Sequence, residues 1–225
     1  MTRPSGYAIS VPPTWTRFDL RRPVDDAAAA FAASHREPGM SRDTGSAVLV
    51  RRALRSFARD ALGRASRAGV VDLYAWSGAS RRGLGPMTMS LLPVPLPDCA
   101  SPTDLVATVT DSAAPPSLLP TGVGPAARAV CCRSVALEDF VLDMERLVPR
   151  EGAGSGPTRP IPGDVVLAGV TYAVDVPWAP RTALLLRTDV AGGALVPAQV
   201  DLSDEIVATL RWTDEGLHER EGATR

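Results

Sequence analysis

Residues 164–190 read DVVLAGVTYAVDVPWAPRTALLLRTDV and predict two strands joined by a proline-bounded turn. Between residues 171 and 176, apolar side chains alternate with small or polar ones, and a period of two over a β-rich segment indicates a strand. Pro177 and Pro180 end this strand, because neither residue can donate to a ladder. The consecutive leucines at 184–186 make the second strand apolar on both faces, which is typical of a strand inside a sheet that is covered on both sides.

A helix is predicted after this pair of strands. Ser203 is suited to cap it, and the acids Asp204 and Glu205 favour the positive end of a helix dipole. The apolar face of this helix comprises Ile206, Val207 and Leu210. We therefore expect Leu210 to be buried against the sheet.

Further elements are predicted along the rest of the chain. They are short strands around Tyr7 and Trp15, helices over Asp25–Glu37 and Thr44–Ala68, a hairpin of Val70–Trp76 with Met87–Leu92, a helix that begins at Ser101, and strands within Leu118–Val123 and Ala126–Val135. A Gly/Pro-rich insertion at about 143–164 predicts a mobile loop, and the charged tail 213–225 predicts a frayed end. The length favours a single α+β domain over residues 1–225.

Charge composition excludes a strong global field. The chain has 24 Lys+Arg against 25 Asp+Glu, for a formal net charge of −1. Such a balance predicts neither nucleic acid nor an anionic membrane as a partner. The first residues lack a signal-peptide core, and no window of transmembrane length is uniformly apolar, so a cytoplasmic location is expected.

No motif in the sequence predicts catalysis, a cofactor or a metal. The two histidines, His35 and His218, are far apart, and three cysteines, Cys99, Cys131 and Cys132, lack zinc-ligand spacing. We interpret the cysteines as buried thiols. Neighbouring acids lie at predicted helix starts or in loops, where helix-end electrostatics explains them better than acid–base chemistry.

Two features are candidates for partner binding. Arg52, Arg55 and Arg59 recur at helical spacing and form a stripe on one side of the long helix. Guanidinium forks suit an acidic protein surface, although a solvated charged face is the alternative interpretation. Trp178 lies in the proline-bounded turn, where an exposed aromatic side chain can serve as an anchor; packing into the core is the alternative.

Three segments in order resemble the PsbP-like superfamily, which includes the nuclear-transport factor Mog. They are ISVPPTW at 9–15, VGPAARAV at 123–130, and the C-terminal series TYAVDVPWAP, ALLLRTDV and LSDEIVATLRW between 171 and 212. The resemblance implies an antiparallel β-sheet with helices packed on both faces, and no catalytic residues. Relatives in that superfamily are mostly accessory or binding proteins, and some bacterial ones accompany specialised secretion systems.

These observations lead to three hypotheses about function. The first is a non-catalytic accessory or protein-interaction module, associated with a bacterial secretion system and bound to a protein partner. The second is a small-ligand-binding domain or an enzyme of unfamiliar type, with a pocket at one end of the sheet. The third is nucleic-acid binding through the long helix, which the near-zero net charge disfavours.

Overall fold

The computed structural model describes residues 6–34, 45–76, 87–98, 100–112, 114–136, 164–192 and 194–214. Its helices are α1 (Val24–Ser34), α2 (Gly45–Arg67), α3 (Pro102–Val109) and α4 (Val196–Ala208). Its strands are β1 (Gly6–Ala8), β2 (Trp15–Asp19), β3 (Asp72–Trp76), β4 (Met87–Pro95), β5 (Ser117–Thr121), β6 (Gly124–Ala136), β7 (Asp164–Asp175), β8 (Thr182–Gly192) and β9 (Arg211–Thr213). None of the helices in these ranges is long and apolar enough to cross a membrane.

Seven strands form one antiparallel sheet in the order β2-β3-β4-β8-β7-β6-β5. β1 and β9 form a separate antiparallel ribbon, which pairs residues 6–8 with residues 211–213. The strand pair predicted from residues 164–190 is β7 and β8, at the centre of the sheet. The hairpin predicted from residues 70–92 is β3 and β4.

One face of the sheet, which we call the covered face, is closed by α4 and the β1-β9 ribbon. Tyr172 and Leu186 lie on it and are fully buried in the largest apolar cluster, together with Ile206 and Val207 of α4. Leu210, which follows α4, also has no exposed surface, so the prediction that it is buried is confirmed.

The opposite face, which we call the groove face, carries the other three helices in two groups. α1 and α2 cover β2 and β3, where Phe18 packs with Ala28 and Leu62. α3 covers one end of β6, β7 and β8, where Val106 packs with Ala173 and Leu185. The protein is therefore an α+β structure with an antiparallel sheet and helices on both faces, as predicted.

The start of the last helix was wrongly predicted. α4 begins at Val196, seven residues before Ser203, and Pro197 in its first turn fits the fixed φ angle of proline. Ser203 is buried inside the helix, where its hydroxyl donates to the backbone carbonyl oxygen of Gln199 at 2.8 Å. A serine followed by two acids has the sequence pattern of a helix N-cap. Inside a helix, however, a serine hydroxyl can also donate to the backbone carbonyl oxygen four residues earlier.

Two other predictions concern the ends of elements. Thr213, assigned to a frayed tail, is the last residue of β9 and pairs with Gly6. Residues 215–225 and most of the 143–164 insertion lie outside the described residues, although Asp164 already begins β7.

Candidate functional site

A groove lies in the middle of the groove face, beside the C-terminal end of α3. Its volume is about 660 Å³. Strand residues Thr88, Cys131, Arg133, Leu167, Gly169, Thr171, Arg187 and Asp189 line it, and Val109, Thr110 and Asp111 line it from the end of α3.

The floor of the groove is polar because two successive rows of the sheet register carry polar side chains. One row runs Cys131, Gly169, Asp189 and Thr88 across β6, β7, β8 and β4. The next runs Thr171, Arg187 and Ser90 across β7, β8 and β4. The following row toward α3 is apolar, at Ala173 and Leu185.

Arg187 and Asp189 form an ion pair on this floor. The Nε of Arg187 donates to Oδ1 of Asp189 at 3.0 Å, and both side chains are about half exposed, at 51% and 53%. The guanidinium lies across β7 above Gly169, since a Cβ built on Gly169 would be 3.4 Å from Nη2 of Arg187. A glycine here leaves space for the guanidinium to reach from β8 over the neighbouring strand.

The wall formed by α3 is fixed at both ends. At its start, where the sequence predicts a helix that begins at Ser101, the side chains of Ser101 and Asp104 complete a capping box. Just beyond its end the Sγ of Cys131 donates to the carbonyl oxygen of Asp111 at 3.0 Å. The Oγ1 of Thr110 is buried beside the groove and has no hydrogen-bond partner among the described residues.

The covered face carries charged groups as well, but they bind one another. Asp72 is fully buried and accepts hydrogen bonds from Nε and Nη2 of Arg17, at 2.8 and 2.9 Å, and from the hydroxyl of Tyr7. Burial and the Asp72 carboxylate raise the pKa of Tyr7 far above its usual value. This cluster ties the β1-β9 ribbon to β2 and β3, which is a structural role.

A second closed cluster joins α4 to the sheet. Asp204 accepts hydrogen bonds from Nε of Arg128 and from the hydroxyl of Tyr172, both at 2.7 Å. The pKa of Tyr172 is raised far above its usual value, mainly by burial and to a smaller extent by the hydrogen bond to Asp204. The predicted role of Asp204 at a helix start is therefore wrong, because α4 already began at Val196 and this carboxylate instead binds the sheet.

The predicted arginine stripe lies on α2, away from the groove. Arg52, Arg55 and Arg59 are all exposed, while Ala58 and Leu62 of the same helix are buried. The Nε of Arg59 donates to Oδ1 of Asp25 on α1 at 2.6 Å. That arginine is thus partly engaged within the protein, and the role of the stripe in partner binding stays a prediction.

Trp178 is half-buried and is not the exposed aromatic that the turn predicts. Its ring packs against Trp212 in a T-shaped arrangement, with 4.9 Å between ring centroids and an interplanar angle of 85°. It contributes to the apolar cluster of the covered face, so core packing accounts for its position. The prediction of buried thiols is wrong for Cys132, which is exposed; Cys131 is partly buried, and Cys99 lies outside the described residues.

Sequence reasoning missed the groove. Arg187 and Asp189 are two positions apart in a strand and must share a face, which is the signal that could have identified them. What one strand cannot predict is that Cys131, Gly169 and Thr88 complete the same row. Within the described ranges no group of three His, Cys, Asp or Glu side chains is placed to hold a metal ion.

Comparison with known proteins gives few matches. No protein-family model matches the chain, and no curated protein matches it. A similar solved structure is LpqN of Mycobacterium tuberculosis, described as involved in cell envelope biogenesis, at 9% sequence identity and a TM-score of 0.40. The likeness covers 92% of this chain and 83% of that one. The resemblance to the PsbP-like superfamily stays a prediction.

Proposed function

We propose that this protein is a non-catalytic accessory module that binds a partner protein in the groove. The observation that supports this proposal is the contrast between the two faces of one sheet. α4 and the β1-β9 ribbon close the covered face, whereas α1, α2 and α3 leave the polar rows of the groove face open between them. The predicted association with a bacterial secretion system belongs to the same proposal and would identify the class of partner.

The hydrogen bonding of the two faces favours binding in the groove over a purely structural role. On the covered face, Asp72 and Asp204 each hold an arginine and a tyrosine. Buried hydroxyls without a described partner occur on both sides, at Thr110 beside the groove and at Thr188 on the covered face, so they do not separate the two faces. The difference is that Arg187 uses only its Nε and is about half exposed in the groove. Unused donors beside an open surface are groups that a bound partner can satisfy.

Small-ligand binding is the second candidate function. It is favoured by the volume of about 660 Å³, which lies within the range of sites that hold small molecules. The two candidates differ in what copurifies with the protein: a stoichiometric protein partner supports the first, and a specific small molecule without a partner supports the second.

Site-specific photo-crosslinking in the source cell tests the first candidate. A photoreactive residue at Thr88, exposed in the groove, is compared with one at Asp201, exposed on α4 at the covered face. The proposal predicts a single protein adduct from position 88 and none from position 201. Equal adducts from both positions, or adducts from position 201 alone, would contradict it.

A further inference from the structure

We propose that the groove recognises an acidic segment of the partner, in which a carboxylate lies next to an apolar side chain. This inference rests on the proposed function and adds the chemistry of the partner. It is derived from the cations, the unused donors and the apolar wall of the groove.

Arg187 is the central cation. Its Nε is bonded to Asp189, and its two terminal nitrogens have no acceptor among the described residues. The guanidinium lies over Gly169 on the floor of the groove, so the side opposite the strand is open to a ligand. The two terminal nitrogens of a planar guanidinium are spaced to donate to the two oxygens of one carboxylate, so arginine binds carboxylates in a bidentate manner.

Arg133 supplies a second cation on β6. It is two residues along the strand from Cys131, the register partner of Gly169, which places its Cα about 8 Å from that of Gly169. Its side chain is exposed and has no ion-pair partner in the described part of the chain. Arg133 and Arg187 thus line the same groove, and an acidic segment can span the distance between them.

Two aspartates, Asp111 and Asp189, line the groove beside the two arginines, so the formal charges balance. The preference for an acid therefore depends on the position of the unused Arg187 nitrogens over the floor. Asp189 is committed to Arg187 through Oδ1 and lies half exposed beside it. Its negative charge repels a bound carboxylate, and its removal frees the Arg187 Nε. Removal of the Asp189 charge should therefore strengthen binding of an acid, whereas removal of the Arg187 charge should weaken it.

The apolar part of the proposal comes from the end of α3. Val109 is 44% exposed where it lines the groove, and Leu167 of β7 lines it from the sheet. An apolar side chain next to the ligand carboxylate can pack against both Val109 and Leu167. This arrangement favours a peptide segment over a small hydrophilic acid.

Fluorescence anisotropy with a defined probe tests the inference on the full chain. The probe is a short rhodamine-labelled peptide with two glutamates flanking a leucine, and its matched control has glutamines in place of the glutamates. We expect the glutamate peptide to bind at least about tenfold more tightly than the glutamine peptide, since hydrogen bonds to charged groups are the stronger ones. Raising the salt concentration should narrow the difference.

Three variants assign the effect to the groove. Arg187→Gln should weaken binding of the glutamate peptide about tenfold, and Asp189→Asn should strengthen it about two- to threefold. Arg211→Gln, which removes an exposed arginine from β9 outside the groove, should leave binding unchanged. Circular dichroism of each variant verifies that the fold is retained.

Three results would overturn the inference: equal binding of the two peptides, equal binding by wild type and Arg187→Gln, or binding of free succinate but not of the glutamate peptide. These results are separable from failure of the proposed function. A protein adduct from position 88 without selectivity for the acidic peptide leaves the accessory module standing and removes only the acidic segment.

Discussion

Asp72 and Asp189 lie on opposite faces of the same sheet, and each accepts a hydrogen bond from the Nε of an arginine. Asp72, with no exposed surface, also accepts from Nη2 of that arginine and from a tyrosine. Asp189 is half exposed, and its arginine partner keeps two terminal nitrogens unused. The same residue types thus form a closed structural cluster on one face and an open site on the other.

This contrast shows that residue type alone does not reveal function. What decides between the two roles is whether neighbouring elements complete the hydrogen bonds. β1 supplies Tyr7 to complete the cluster around Asp72, and no described element lies over Arg187 in the same way. Substitutions on one face, compared with matched substitutions elsewhere on the surface, test this difference.

Truncation of Leu210 should have the largest effect on stability. Leu210 is fully buried on the covered face, so Leu210→Ala should lower the free energy of unfolding by about 2–5 kcal/mol, measured by urea denaturation. The matched control is Leu195→Ala, because Leu195 is 46% exposed at the start of α4. Equal losses in the two variants would mean that the covered face is not closed as described.

Alkaline pH should destabilise the covered face next most strongly. Burial raises the pKa of Tyr74 to about 12 and that of Tyr172 further, so the folded protein holds these phenolic protons above pH 10 while the unfolded chain releases them. The contribution of these protonated tyrosines to the free energy of unfolding is therefore retained below pH 10. Above pH 10 it falls by about 1.4 kcal/mol per pH unit for each tyrosine. These two tyrosines should remove about 3 kcal/mol by pH 11, and Tyr7, whose pKa burial also raises, should add to that loss.

Urea unfolding at pH 8, 10 and 11 measures this loss, and tyrosinate absorbance reports ionisation during the same transition. The variants Tyr74→Phe and Tyr172→Phe should each flatten the dependence on pH. Ionisation of both phenols in the folded protein near pH 10 would contradict their burial.

Replacing an aspartate by asparagine should distinguish the two faces directly. Asp72→Asn leaves Arg17 and Tyr7 without their shared carboxylate and should cost about 2 kcal/mol of unfolding free energy. Asp189→Asn, on the half-exposed ion pair, should change stability by about 0.5 kcal/mol or less. Similar losses in urea denaturation would remove the distinction between closed and open clusters.

The arginine stripe should have the smallest effect on stability. Changing Arg52, Arg55 and Arg59 together to Gln should alter the unfolding free energy by about 0.5 kcal/mol or less, because all three are exposed. Association with the partner should weaken modestly and depend on salt if the stripe contributes. Unchanged affinity at low salt would assign these arginines to the solvated surface.

The covered face was the more predictable of the two from sequence. Buried apolar residues repeat with the period of their element, so the leucines at 184–186 indicated a doubly covered strand and Leu210 indicated a docked segment. The capping box of Ser101 was readable because cap and acid are three residues apart. These features depend on near neighbours in the chain.

The groove was not predictable because it depends on register between distant segments. Cys131, Gly169, Asp189 and Thr88 meet in one row only after four strands are aligned. Gly169 carried no signal as a single glycine in a strand, although it provides the space beneath Arg187. Ser203 shows the opposite error, since a local cap pattern was overridden by a helix that begins seven residues earlier.

Affinity of the purified partner for two tryptophan variants tests the central claim most directly. Thr88→Trp places a large side chain in the groove, and Asp201→Trp places the same side chain on the exposed surface of α4. Isothermal titration with each variant should show a loss of about tenfold or more for Thr88→Trp and no change for Asp201→Trp. Wild-type affinity in Thr88→Trp, with the fold intact, would show that the partner does not bind in the groove.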